Sequence, residues 1–363
     1  MILIVMWIIF QMIWIAIFKF DFQGESDKYI REANLFITNN GFTQQRFIFY
    51  ATTILIIVFS TLSKIGLYGA IAIIMVINLA CYLYFFKALK TVFVKPVYAY
   101  LVILFLLTFW PYQRWSITLY SEALFYSFVM LLFSILILYR SLSAKYLLTL
   151  FTILGLLILT RPMGVLFVIP VLAFIYFHLL GKQKIYFLLS LILAAFLLNY
   201  VVQIVFTTTS DWSMTAALQS DIIVADKEDM PVNKNIILSN SSNQLYQLFY
   251  YITNNFFHFI GLAAKRLQAF FFLFRSYYSV AHNIFLIGPV ILIYVLIFIR
   301  FNRISKALGK PLLFFMISSI LFFAMAVALQ FDDYHNRFFL VLMPIFTVMA
   351  TVGLFYKNIR LAK

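Results

Sequence analysis

The sequence predicts an all-α, polytopic membrane protein with about ten transmembrane helices and further interfacial helices in its outer loops. Three observations carry that prediction: composition, the spacing of the apolar runs, and the placement of charge between them. Of 363 residues, 65% are hydrophobic and 11% charged, where soluble domains use roughly 45–50% and 25%. Phe alone supplies 44 residues and Tyr 23. No soluble chain of this length has one core able to hide so much apolar surface, so lipid is the expected solvent for most of it.

The runs follow in order. Met1 to Phe18 is apolar from its first residue, has no basic stretch ahead of it and no small-residue cleavage site, so it reads as a retained first helix rather than a signal peptide. The runs long enough to span, or nearly so, are Ile2–Phe18, Leu67–Phe86, Val97–Trp110, Thr118–Tyr139, Tyr146–Thr160, Met163–Leu180, Ile185–Phe206, Ile284–Ile299, Leu312–Leu329 and Phe338–Tyr356. Several fall short of the ~20 residues a crossing normally needs, so their helices should begin in polar flanks. Two more runs, Phe47–Leu62 and Phe256–Phe274, fit either as spans or as helices lying in the outer interface.

Charge decides between these topologies. With the N-terminus inside and the two ambiguous runs not spanning, the short cytoplasmic segments collect Lys87, Lys90, Lys95, Arg140, Lys145, Lys182, Lys184, Arg300, Arg303, Lys306, Lys310, Lys357, Arg360 and Lys363. Such segments are where the positive-inside rule applies. The 12 acidic residues then all fall outside or at the outer membrane edge. If both ambiguous runs crossed, Lys87, Lys90, Lys95, Arg140, Lys145, Lys182 and Lys184 would move outside. The ten-helix arrangement therefore wins, with both termini in the cytoplasm. The net charge of +15 is accounted for by this asymmetry, and no nucleic-acid partner is expected.

No repeat or linker divides the chain, which reads as a single membrane domain over 1–363. Its outer side carries a first loop at 19–64, a second at 207–283 and a short one at Phe331–Arg337. The cytoplasmic connections have no room for a folded domain, so chemistry is expected outside. In the second ambiguous run, His258, Gly261, Lys265, Gln268 and Arg275 recur at spacings of three, four or seven among Phe, Leu and Ala, a polar stripe suited to the headgroup plane. A marginal spanning helix with snorkelling ends is the other reading.

The first outer loop contains Gly24-Glu25-Ser26-Asp27-Lys28-Tyr29. A helix is expected from about Asp27 to Thr38, stopping at Asn39-Asn40-Gly41, where Gly can adopt the left-handed cap. Glu25 and Asp27 then sit at a helix N-terminus, where carboxylates serve as caps and dipole partners or as acid–base groups. Glu122 lies inside the outer end of a spanning run, a costly place that calls for a polar cavity or a partner. Arg161, in Thr160-Arg161-Pro162-Met163-Gly164, is its cationic counterpart at an outer boundary. Arg275, Tyr278, His282 and Asn283 precede one late run, and Arg337 precedes another. Several guanidinium groups at one face suit bidentate binding of phosphate, although each alone is also an ordinary headgroup contact.

Metal binding has little support. Asp332, Asp333 and His335 are close in sequence but lack a ligand spacing, and no metal ligand is assigned. His178 reads as structural. The single cysteine, Cys81, excludes an intramolecular disulfide or a thiolate cluster. There is no P-loop, dinucleotide turn or nucleophile elbow.

In order and placement, these features resemble the GT-C superfamily of membrane glycosyltransferases, which includes the protein O-mannosyltransferases and the lipid A aminoarabinose transferases. In that superfamily the first outer loop commonly carries Gly-Asp-Ser-x-x-Tyr-x-x-x-Ala; here Gly24-Glu25-Ser26-Asp27-Lys28-Tyr29-Ile30-Arg31-Glu32-Ala33 matches it with Glu25 for Asp. Ser121-Glu122-Ala123-Leu124-Phe125 after the Trp110-Pro111 turn, Thr160-Arg161-Pro162-Met163-Gly164 and Arg275-Ser276-Tyr277-Tyr278-Ser279 are similar to the family's outer-facing elements. No counterpart of the soluble C-terminal domain of many relatives is expected.

The resemblance implies a glycosyltransferase that moves a sugar from a polyprenyl-phosphate donor to a glycan, lipid or protein acceptor at the extracytoplasmic face. A prokaryotic plasma membrane is the expected location. Glu25 or Asp27 would be the general base, with Tyr29, Glu122, Arg161, Lys265, Arg275, Tyr278, His282 and Arg337 around the substrate. Glu122 would shape the sugar pocket or orient an arginine. No cofactor beyond the lipid-phosphate sugar itself is implied, and a divalent metal requirement is left open. The alternatives are a flippase or transporter, or a polymerase, of lipid-linked saccharides.

Overall fold

The computed structural model describes residues 1–139, 141–207, 218, 221–224, 236–239, 241, 243–275, 277–331 and 334–360. Among them there is no strand, only two isolated bridges, Asp21 with Thr118 and Phe93 with Ile359. The helices are α1 (Ile2–Phe18), α2 (Glu25–Asn39), α3 (Ala51–Leu62), α4 (Gly66–Val92), α5 (Pro96–Thr108), α6 (Trp110–Gln113), α7 (Ser121–Ile137), α8 (Ala144–Thr160), α9 (Val168–Tyr176) and α10 (Gln183–Thr207). They continue as α11 (Gln244–Asn254), α12 (Phe256–Phe272), α13 (Val280–Leu308), α14 (Lys310–Leu329), α15 (Arg337–Leu340) and α16 (Met343–Leu354).

Among the described residues, five helical segments are long and apolar enough to cross a membrane: Gln45–Leu62, Gly66–Val92, Gln183–Val201, Val280–Leu308 and Lys310–Leu329. A sixth is Pro96–Thr108 taken together with Trp110–Ile117, which bends by 74°. The described residues are thus all-helical with five or six candidate spans by length and composition, where the sequence led us to expect about ten. The difference lies in five expected runs whose helices are cut short, partly offset by Gln45–Leu62, which the charge pattern assigned to the interface and which is long and apolar enough to span. Ile2–Phe18, Ser121–Ile137, Ala144–Thr160, Pro162–Tyr176 and Met343–Leu354 are apolar but brief. Prolines account for several breaks. Arg161 is extended (φ −153°, ψ 144°), as the residue before a proline prefers, and this ends α8 ahead of Pro162. The run Phe338–Tyr356 splits into α15 and α16 just before Pro344, which falls in the first turn of α16, where its missing N–H costs no intrahelical hydrogen bond.

The chain divides into two compact units, one of Met1–His178, Val295–Met316 and Met343–Lys363, the other of Leu179–Tyr294 and Ile317–Leu342. In the first, α7 is the central helix: apart from half-buried Leu131, every residue from Ser121 to Leu136 is buried. A helix apolar all round belongs inside. It packs on α4, α8 and α3. Buried polar groups pin the packing. Trp7 Nε1 donates to Asn78 Oδ1 at 2.9 Å, and Asn78 Nδ2 donates to Ser127 Oγ at 2.8 Å. Tyr82 donates to Gln113 Oε1 at 3.1 Å, and Ser116 Oγ to Gln11 Oε1 at 2.8 Å. Each such pair satisfies groups that are expensive to bury alone.

In the second unit, α11 and α12 form a hairpin about Asn255. That side chain accepts from the Ile237 amide at 3.0 Å and donates to the Ile237 carbonyl at 2.8 Å. Leu218, Leu248, Tyr251 and Leu262 make its buried cluster.

Gly164 fixes how the chain leaves α8. A Cβ there would lie 2.4 Å from the Leu157 carbonyl carbon and 2.6 Å from the Ile158 nitrogen, both backbone atoms that cannot swing away. Gly164→Ala should therefore destabilise by about 1–3 kcal/mol or more. Gly155→Ala, inside α8 with open space around it, should be neutral or stabilising by about 0.5–1 kcal/mol. Thermal unfolding of the two variants in detergent measures the contrast.

Candidate functional site

The start of α2 is held in place by the segment before α7. The Asp21 amide donates to the Ile117 carbonyl at 3.3 Å, and the Leu119 amide to the Asp21 carbonyl at 3.1 Å. The Tyr120 hydroxyl then donates to the Gln23 carbonyl at 3.2 Å and accepts from the Glu25 amide at 3.0 Å. That hydroxyl takes one of the N–H groups a helix start leaves without an intrahelical acceptor. Gly24 is required between them: its φ is +67°, and a Cβ would stand 2.6 Å from the Tyr120 oxygen. The expected helix is present, beginning two residues earlier at Glu25 and running to Asn39. Its left-handed terminal residue is Asn40 (φ 52°) rather than Gly41, since Asn also tolerates that conformation.

Glu122 and Arg161 form an ion pair, both buried. The carboxylate sits in the first turn of α7 and the guanidinium at the C-terminal end of α8, the dipole-favoured end for each. Thr160 steadies the end of α8, accepting from Thr52 Oγ1 of α3 at 2.8 Å while donating to the Leu156 carbonyl at 2.6 Å. Ser121 Oγ lies 3.4 Å from Glu122 Oε2 and 3.2 Å from the Tyr29 hydroxyl. Tyr29 is completely buried. Burial pushes its pKa well up, the negative charge of Glu25 and the neighbouring Tyr50 and Glu122 push the same way, and Arg161 opposes them. Tyr29 is thus a neutral phenol that connects α2 to the ion pair.

Around this centre the acids differ. Glu25 is half-buried and pairs with Lys28, whose Nζ is 3.6 Å from Oε1. The same Nζ lies 4.9 Å from the ring centroids of both Tyr29 and Tyr50. Asp27 is exposed. Glu32, also buried, is engaged elsewhere: its carboxylate accepts from the Thr43 amide at 2.7 Å and the Thr43 hydroxyl at 2.6 Å, tying α2 to the loop that follows it.

The remaining sequence candidates lie in the second unit. Arg275 is 1% exposed, and its Nη1 donates to the Ala269 and Phe274 carbonyls, both at 2.9 Å. It closes the C-terminal end of α12 and does not belong to the polar stripe along that helix. Lys265 is exposed and Arg337 buried. Tyr278 stacks on His282 at 4.0 Å and bonds to His335 Nδ1 at 2.8 Å. Asp332 and Asp333 lie outside the described residues. Among the described residues, no three His, Cys, Asp or Glu side chains are grouped as a metal site. His178 packs on Tyr139 at 4.0 Å and bonds to the Phe174 carbonyl at 2.9 Å.

The sequence reading missed several residues. Tyr120, Lys28, Tyr50 and Ser121 surround Glu25 and Glu122. In the second unit, Arg266 is fully buried and donates to the Ile222 carbonyl at 2.7 Å and the Ala328 carbonyl at 3.1 Å. Beside it, His258 joins Asp221 Oδ1 at 2.7 Å to the Tyr251 hydroxyl at 2.5 Å. Arg266 had a legible signal, because it is adjacent to Lys265 and only one of two adjacent residues can lie on a helical stripe.

Breaking a buried ion pair leaves an uncompensated charge. Glu122→Gln or Arg161→Met alone should cost about 3–5 kcal/mol, while the double variant should recover much of the loss. Thermal unfolding in detergent across the four proteins measures the coupling. No family model, no curated protein and no solved structure matches this chain; the chemistry of the site rests on these residues.

Proposed function

We propose that this chain is a GT-C-like membrane glycosyltransferase, which moves a sugar from a polyprenyl-phosphate donor to an acceptor hydroxyl at the extracytoplasmic face. The observation that carries the reading is the placement of Glu25. The backbone of half-buried Glu25 is held by the Tyr120 hydroxyl, and Tyr29, one turn along the same helix, bonds to Ser121 next to the buried Glu122–Arg161 pair. Such positioning suits a general base, because a base contributes only when its reach to the reacting proton is set in advance.

Glu25 is the better base of the two sequence candidates, since it is half-buried whereas Asp27 is exposed. In the reaction, Glu25 takes the acceptor hydroxyl proton as its oxygen bonds to the anomeric carbon. The bond from that carbon to the phosphate oxygen breaks, and its electron pair leaves with the lipid phosphate. Arg161 supplies positive potential at the site, and Glu122 holds it in position. Arg275, being spent on backbone carbonyls, is assigned no part in holding phosphate.

A frame of about ten crossings is compatible with the short helices. Three of them have 17 residues and rise about 25 Å each, close to the thickness of the hydrocarbon layer, whereas Met343–Leu354, with 12 residues, rises about 18 Å and crosses only together with its flanks and local thinning of the bilayer. On this reading Gln45–Leu62 lies along the outer interface. In a Cys81→Ser background, Lys64→Cys should react with an impermeant maleimide added outside, and Lys182→Cys should not. Labelling of position 182 from outside would reverse the topology.

The chemical test uses reconstituted protein with a polyprenyl-phosphate sugar. Glu25→Gln should lower kcat by roughly 10²–10⁴-fold, and Asp27→Asn should stay within a few-fold of wild type. Equal rates for wild type and Glu25→Gln would refute the assignment.

A further inference from the structure

The Lys28 ammonium occupies a defined resting place. It stands one helical turn from Glu25, with Nζ 3.6 Å from Oε1. It also lies 4.9 Å from each of two tyrosine ring centroids, which are themselves 5.4 Å apart. Two electron-rich ring faces and a carboxylate make a favourable cage for an ammonium. The cage walls are unequal. Tyr29 is fully buried and tied to Ser121, whereas Tyr50 is half-buried. Lys28 keeps 33% of its side chain exposed and Glu25 25%, so the ammonium sits at the boundary between the site and its surroundings.

We propose that Lys28 is a gate: it covers Glu25 while the site is empty and swings to the anionic phosphate of the donor when that binds. The inference rests on the transferase reading above and adds the order of events. The local charges explain why a move is needed. Arg161 is paired with Glu122 in the interior, and Glu25 is paired with Lys28. An incoming phosphate next to two carboxylates requires a cation that can turn towards it. Lys28 has the means, because an ammonium on a four-carbon stem can re-aim its three donors where a planar guanidinium cannot. Arg31 and Asp27, both exposed on the same helix, are the other charges facing outward there. Departure of Lys28 also removes a cation from beside Glu25, which strengthens that carboxylate as a proton acceptor. Donor binding thereby arms the base, and the acceptor is deprotonated only once a sugar is in place.

The test measures binding of polyprenyl phosphate to nanodisc-embedded wild type, Lys28→Met, Lys28→Arg and Tyr50→Leu, with inorganic phosphate and phosphatidylglycerol vesicles as separate arms. Lys28→Met should weaken polyprenyl phosphate binding at least tenfold and Lys28→Arg by a few-fold. Tyr50→Leu should tighten it about threefold, because the resting place competes less; a merely structural lysine would not give that sign. In transfer assays, Lys28→Met should raise KM and move the acid limb of the kcat/KM profile upward, since Glu25 of the empty site loses its cation, while the kcat profile stays in place. Equal affinity in wild type and Lys28→Met, or weaker binding by Tyr50→Leu, overturns the gate. Equal Lys28 dependence for inorganic phosphate or phosphatidylglycerol also overturns it, since the cation would then read any phosphate and not the donor. Lys28-dependent binding without any sugar transfer leaves the gate standing and refutes the transferase. No binding by wild type overturns both.

Discussion

The first unit is organised by one electrostatic constraint: a carboxylate and a guanidinium buried together among apolar helices. Neither Glu122 nor Arg161 tolerates that position alone, because the desolvation of each is repaid only by the other and by nearby hydrogen bonds. The pair therefore dictates where the first turn of α7 and the last turn of α8 meet. Other contacts extend that junction outward, through Thr160 to Thr52 on α3 and through Ser121 to Tyr29 on α2. The segment that carries α2 is thus referenced to a fixed point in the helical interior.

Much of this frame was legible in the sequence, and the reasons are physical. Composition and apolar runs located the helices, because lipid selects for residues over long stretches. The helix after Gly24 was legible because Asn39-Asn40-Gly41 can end one. Gln45–Leu62 was harder. Its Thr52, Thr53 and Ser60 lower its hydropathy as if they faced water, yet Thr53 and Ser60 are buried, Thr52 bonds to Thr160, and Ser60 bonds to the Gly66 carbonyl. Hydropathy counts a polar group equally whether it meets solvent or a partner.

The site was only partly legible for a related reason. Glu122 and Arg161 each drew attention as ionisable groups in apolar surroundings, but their pairing is a tertiary fact with no periodicity behind it. Tyr120 and Tyr50 had no signal, since two more tyrosines among 23 carry no information until their hydroxyls and faces are placed. Arg275 misled in the opposite direction: an arginine beside a polar stripe suggested an outward cation, and it is an inward cap of its own helix.

The Tyr120 hydroxyl is a single atom shared between two elements. It receives the first amide of α2 and donates to the carbonyl just before Gly24, while its own backbone leads directly into α7. Phenol and helix together act as a short crank. A rotation of α7 about its axis moves the ring, and the ring carries the backbone on both sides of Gly24 with it. The acid's position is therefore coupled to the posture of the buried helix, and a substitution deep in the bundle can shift a carboxylate at the surface without touching it.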